Sequence, residues 1–271
     1  MTLAAFLVSI FFVNCATSSR LEGLKPGSPE YLYEASMVNI DDGLYPEAVQ
    51  GFSKLKNNFP YSAFARLADL RIGDTLLAQR KYQEAISSFN RFIRYSPKHE
   101  AIPEALYKIA EADYERRPSD FVLLPPAAEK DQKRVNAALR AYRRLTARYP
   151  NSEFSRKAAQ RIIECSSRLA DHEFYVANFY FKKGKFKAAL ARSLYLLEEF
   201  PASSVEDQAL AISTESYLTM GELLKAEKQL AILSKKYPKY PSRNALEKRL
   251  ESLKAIETQQ KQPGNPKSKE Q

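Results

Sequence analysis

Few residues in this chain have the chemistry for catalysis or metal binding. Its 271 residues include two cysteines, Cys15 and Cys165, and two histidines, His99 and His172. A structural zinc site takes four such ligands at close spacing and a catalytic one three, and neither histidine has a second histidine or cysteine at ligand spacing. Cys165 lies in RIIECSSRLA beside Ile162 and Ile163 and reads as a small buried side chain rather than a reactive thiol. His99 follows Pro97-Lys98 and His172 stands in ADHE; both read as structural. No G-x-S-x-G, H-E-x-x-H or P-loop pattern is present, and no carboxylate pair is signalled for acid–base work. The expectation is a protein that is not an enzyme and holds neither cofactor nor metal. Composition agrees: glycine is scarce at 8, tryptophan is absent, and 44% of residues are hydrophobic. That profile favours helices over sandwiches, barrels or glycine-rich nucleotide folds.

Cys15 is the exception, because of the run before it. Residues 3–13, LAAFLVSIFFV, are uncharged and apolar. A spanning helix needs about 20 such residues, whereas this run has the length of a signal-peptide core. A cysteine placed directly behind it resembles the lipobox of bacterial lipoproteins. That resemblance implies a signal peptide over residues 1–14, lipidation of Cys15 with palmitate among the acyl chains, and a linker over 15–28. Ala16 resembles the signal that releases lipoproteins to the outer membrane. The alternative is a cleaved secretory leader with an incidental cysteine. Export also decides how the net charge of +10 is read. An exported protein rarely meets nucleic acid, so none is expected as a partner. The basic residues are spread out, as in RKAAQR and KKGKFK, which points to solvated helix faces, with an anionic membrane surface or an acidic partner as the functional alternative.

The elements that must carry any site are set by a repeat. Five segments align: 43–60, 80–97, 133–150, 184–201 and 221–238. Each ends in proline (Pro60, Pro97, Pro150, Pro201, Pro238), with alanine twelve residues earlier (Ala48, Ala85, Ala138, Ala189, Ala226). Apolar residues recur three before the alanine and four and seven after it, as in Tyr82, Phe89 and Phe92, with Ser193 the polar exception. Those offsets make one stripe of a helix, and the proline ends it. Twenty-four residues before the proline a small residue recurs, as Ser36, Gly73, Ala177 and Thr214, on a second helix. This is the tetratricopeptide pattern. The expected fold is all-α, a right-handed solenoid of five helix-turn-helix repeats. Long proline intervals mark an insertion around 116–132 and one long linking helix within 151–184. The organisation expected is repeats one to three over 29–150; the long helix, repeats four and five and a capping helix over 151–257; and a disordered tail over 258–271.

Five such repeats behind a lipoprotein signal resemble the outer-membrane β-barrel assembly lipoproteins, also called the competence lipoprotein family. The resemblance runs from about residue 30 to 238. It is carried by LADHEFYVANFYFKKGKFKAALARSLYLLEEFP (169–201), YEASMVNIDDGLYPEAVQGFSKLKNNFPYS (33–62) and AISSFNRFIRYSPKHE (85–100). It implies a lipid-anchored scaffold on the periplasmic face of the outer membrane. The implied partners are the POTRA region of the barrel-inserting subunit, other assembly lipoproteins and unfolded outer-membrane precursors. Tetratricopeptide grooves are lined by first helices, which makes Tyr33, Met37, Asp74, Tyr107, Glu111 and Tyr114 candidates for a peptide-binding groove. Phe174, Asn178 and Phe181 are the corresponding candidates for partner binding. Aromatics at helical spacing also serve as core, and a cell-wall or envelope adaptor is the competing role.

Overall fold

A computed structural model describes residues 20–119 and 125–261; the signal run, Cys15 and most of the expected tail lie outside them. Between residues 29 and 261 there are eleven α-helices and a short 3-10 turn, Ala127–Glu129, and the described residues contain no strand. The helices are α1 (Pro29–Asp41), α2 (Tyr45–Asn58), α3 (Ala63–Ala78), α4 (Tyr82–Tyr95), α5 (Ile102–Glu115), α6 (Lys133–Arg148), α7 (Glu153–Lys182), α8 (Phe186–Glu199), α9 (Glu206–Thr219), α10 (Leu223–Lys236) and α11 (Arg243–Lys261).

The proline stops a helix in the same way each time. Phe59, Ser96, Phe200 and Tyr237 each precede a proline, and each has φ between −136° and −127° and ψ between 54° and 63°. Proline's ring pushes the residue before it out of the helical region. Each of these residues still donates its N–H to the carbonyl four back, at 2.8–2.9 Å, so the last turn closes before the chain leaves. The turns between helices of a pair are equally repetitive. Gly43, Gly184 and Gly221 have φ of 74°, 70° and 75°, and Arg80 takes the same place at 58°. Only glycine enters that region without a Cβ clash.

The recurrent small residues mark the closest helix contacts. Ala48, Ala85, Ala138, Ala189 and Ala226 are fully buried. Gly73 faces Phe89: a Cβ built on it would stand 2.4 Å from the ring's Cε1. Where the small position is Ser36 or Thr214, the hydroxyl returns to its own helix, bonding the carbonyls of Leu32 and Leu210 at 2.7 and 2.8 Å. That satisfies a buried polar group without a partner across the interface. Around these contacts sit the stripe residues Phe52, Leu55, Phe89, Phe92, Tyr142, Leu145, Leu196 and Leu233, all buried. Each contributes roughly 1.5–3 kcal/mol of burial.

Packing divides the described chain into two units. One comprises residues up to Arg116 together with Ala137–Ala159; the other comprises Arg117–Asn136 and residues from Gln160 onward. The repeat spacing placed the division at 150; the packing division instead falls within α7, a continuous helix of 30 residues. The insertion belongs to the second unit because it is tied to α7. Arg168 donates to the Pro118 carbonyl at 3.0 Å, and His172 Nδ1 lies 2.6 Å from the Ala128 carbonyl oxygen. Residue 258, where the tail is expected to start, still lies within a helix. Residues 258–261 are helical, because α11 runs to Lys261 through good helix formers and the next breaker is Pro263.

Candidate functional site

In the first unit α1, α3 and α5 bring their charged and aromatic residues together. Arg71 is central. Its Nε donates to the Tyr33 hydroxyl at 3.1 Å, and its Nη1 reaches Asp74 at 2.7 Å and Glu104 at 3.4 Å. Lys108 Nζ closes the ring, 2.6 Å from Asp74 and 2.5 Å from Glu104. The pairs Arg71–Asp74 and Glu104–Lys108 are helix neighbours three and four apart, but Arg71–Glu104 and Lys108–Asp74 link two different helices. All four side chains are 18–23% exposed, so the network is half-desolvated and stiffer than a surface pair. Burial pushes the Glu104 carboxyl up, but Lys108 and Arg71 outweigh it and hold it below the usual carboxylate range. Burial likewise opposes the Arg71 charge, and its bonds to Tyr33 and Asp74 hold the guanidinium above its ordinary value.

The aromatic candidates flank this network. The Tyr33 ring packs against Phe52 and Phe64, with centroids 5.7 and 5.4 Å away, while its hydroxyl accepts from Arg71. Met37 lies half-buried on the same cluster. Tyr107 contacts Tyr142 and Phe154 at 5.8 Å each, and Glu111 accepts the Tyr142 hydroxyl. Tyr114 corrects the expectation: it is 5% exposed and belongs to the core, not to an open face. In the second unit Phe174 and Phe181 pack on Ala177, Ala189 and Ile212, with Asn178 half-buried on the same helix. Phe181 also lines a hollow of about 380 Å³ whose other walls include Tyr240 and the ion pair Glu215–Arg249.

Two buried carboxylates escaped sequence reasoning. Asp69 Oδ1 accepts from Lys56 Nζ at 2.6 Å and from Arg91 Nε at 2.8 Å. Glu206 is bonded by Lys236 Nζ at 2.6 Å, the Tyr237 hydroxyl at 2.7 Å and the Ala202 N–H at 3.1 Å. Burial raises the Glu206 carboxyl, yet these three donors together hold it below its ordinary value; the same bond pushes the Tyr237 hydroxyl up to about 12. Both carboxylates tie helices together and neither faces a reactive partner. His99 accepts the Ala101 N–H at Nδ1 and packs on Phe92, and Cys165 is buried. Among the described residues no three His, Cys, Asp or Glu side chains cluster as metal ligands.

Paired helices punctuated by proline and closed at fixed small positions define a tetratricopeptide-repeat protein. The chain belongs to the YfiO family, described as outer membrane lipoprotein, whose model matches residues 26–233. Relatives that carry the name outer membrane protein assembly factor BamD include three from different genera. That of Caulobacter vibrioides is 29% identical over 88% of this chain and 76% of its own length. The Vibrio cholerae protein is 25% identical over 86% and 98%, and the protein of Neisseria meningitidis serogroup A is 28% identical over 79% and 81%. A solved TPR protein, YrrB, is 14% identical, with a TM-score of 0.34 over 86% of this chain and 98% of its own.

Proposed function

We propose that the chain performs its part in outer-membrane protein assembly as a binding scaffold and not as a catalyst, held on the periplasmic face of the outer membrane by acyl chains on Cys15. The observation that supports this most is the family match over residues 26–233, which spans both packing units. In this reading the face of α1, α3 and α5 holds unfolded barrel precursors. Tyr33, Met37, Tyr107 and Glu111 give it apolar and polar grip, and the Arg71–Asp74–Glu104–Lys108 network gives it a fixed floor. Because that network is internally neutral, it favours segments whose main chain supplies the hydrogen bonds over strongly charged ones. The face of Phe174, Asn178 and Phe181 serves a folded partner, the POTRA region of the barrel-inserting subunit, alongside other assembly lipoproteins.

Capture from detergent-solubilised outer membranes tests the role: the barrel-inserting subunit is expected to co-purify, and its absence refutes the reading. Mass spectrometry of the mature N-terminus tests the anchor, and an unmodified Cys15 removes it. For the groove, Tyr33→Phe with Lys108→Met keeps the ring packing and removes two polar fixings. Affinity for a barrel-precursor peptide is expected to fall about tenfold, the equivalent of one hydrogen-bonded contact; unchanged affinity takes that face out of the site.

A further inference from the structure

The turn from α7 to α8 concentrates positive charge. Lys182, Lys183, Lys185 and Lys187 fall within six residues, all exposed, and none makes an ion pair among the described residues. Gly184, with φ of 70°, makes the turn that folds the two helix ends back on each other. Upstream on α7, Phe179 stands three residues before Lys182 and Tyr175 four before Phe179, so these three share one stripe of the helix, and Lys183 follows in the turn. Phe179 is 49% exposed and Tyr175 38%, although the Tyr175 hydroxyl is engaged by Glu129.

Helix stability does not account for this cluster. A cation in the last turn of α7 complements the helix dipole, which explains Lys182. Lys185 and Lys187 sit at the N-cap and in the first turn of α8, where positive charge opposes the dipole and no acid compensates. Three other second helices place glutamate there, Glu47 in α2, Glu84 in α4 and Glu222 at the cap of α10, whereas α6 opens on Lys133 and Arg134 without an acid in its first turn.

We propose that this turn is a peripheral contact for an anionic lipid surface, with the lysines over phosphate headgroups and Phe179 at the level of the glycerol backbone. The residue types select lipid over protein. Protein interfaces favour arginine, whose planar fork holds carboxylates bidentately, and are depleted in lysine. Here four lysines and no arginine stand beside two aromatic rings. Flexible point charges suit mobile headgroups, tyrosine settles at membrane interfaces, and an exposed phenylalanine buries at the headgroup–acyl boundary. The family's association with the outer membrane supplies the surface, and the contact is separate from the acyl anchor at Cys15.

The test uses the mature chain, starting at position 15 and carrying Cys15→Ser, so that neither the apolar run of residues 3–13 nor an acyl chain contributes. Flotation with vesicles of phosphatidylethanolamine and phosphatidylglycerol at about 3:1 is compared with flotation on vesicles of phosphatidylethanolamine and phosphatidylcholine at the same ratio. Binding is expected on the anionic vesicles alone, falling steeply between about 50 and about 300 mM salt. Replacing the four lysines by alanine is expected to weaken it about tenfold or more. Replacing Lys228, Lys235, Lys239 and Lys248, also exposed, should cost less. Circular dichroism of the variants should be unchanged, since every altered side chain is exposed. Equal flotation on both vesicle types overturns the proposal, as does full binding by the four-lysine variant. So does lysine-dependent capture of a poly-glutamate peptide by a chain that leaves the vesicles unbound, which assigns the turn to an acidic protein.

Discussion

Gly73→Ala sets two effects against each other at one atom. Gly73 lies in the interior of α3, where alanine is favoured over glycine by about 1 kcal/mol. Propensity alone predicts stabilisation. The added Cβ, however, would lie 2.4, 2.6 and 2.8 Å from three atoms of the Phe89 ring, where carbon atoms need roughly 3.5 Å or more. Phe89 is fully buried, so it cannot swing aside into solvent, and α3 and α4 must separate or the ring must leave its rotamer. Overpacking of this kind costs about 1–3 kcal/mol; a contact this short belongs at or above the top of that range. Set against the propensity gain, the net is about 2 kcal/mol of destabilisation. For a cooperative unit of this size that lowers Tm by about 4–8 °C. Thermal and urea melts of the full chain measure it. A double-mutant cycle with Phe89→Leu isolates the cause: removing the ring should make the double variant about 1 kcal/mol more stable than the two single effects predict. A Gly73→Ala chain as stable as the parent refutes the claim that backbone proximity, rather than chance, placed glycine at the repeat's small position.

Arg80→Gly removes a Cβ from a left-handed turn that glycine occupies elsewhere and should raise stability by about 0.5–1 kcal/mol, read as a shift in urea midpoint without a change in slope. Glu206→Gln keeps an acceptor for Tyr237 but removes the charge facing Lys236, and should cost about 1–2 kcal/mol in the same assay. Glu104 and Glu206 are both held below their ordinary range, so the fold favours their ionised forms. Their contribution is complete above pH of about 4.5 and is lost as pH falls through the folded values, and the Glu206→Gln chain should show a shallower acid limb in melts between pH of about 5 and 3. Asp74→Asn weakens the charge pairing of Arg71 and Lys108, and should cost about 1 kcal/mol while lowering precursor-peptide affinity.

The parts of the fold that could be read from the sequence are those fixed by sterics at a constant spacing. Ala48 through Ala226 and the five prolines are positions where only one kind of side chain fits, so the types repeat. The small position of α5, Ala110, is also fully buried, although the insertion hides its interval from the proline. Site residues were less legible. Glu104 and Lys108 are recognisable as a helical pair four apart, but nothing in the spacing says that Lys108 will meet Asp74, 34 residues away. Tyr114 was misplaced for a geometric reason. It comes seven residues after Tyr107, a step that returns within about 20° of the same direction, and at the edge of a stripe that angle separates groove from core. Asp69 and Glu206 carry no signal at all, because an acid that will be buried between cations looks in sequence like any acid on a solvated helix.

The single oxygen of Asp69 that receives both Lys56 and Arg91 works as a rivet through three helices, α2, α3 and α4. Neither outer helix can peel away without exposing a charge to which the other is still fastened. Amide protection along this stretch should therefore disappear in one step, with α2 and α4 opening together. A truncation that removes the helices ahead of α3 should loosen α4 as well as shorten the chain.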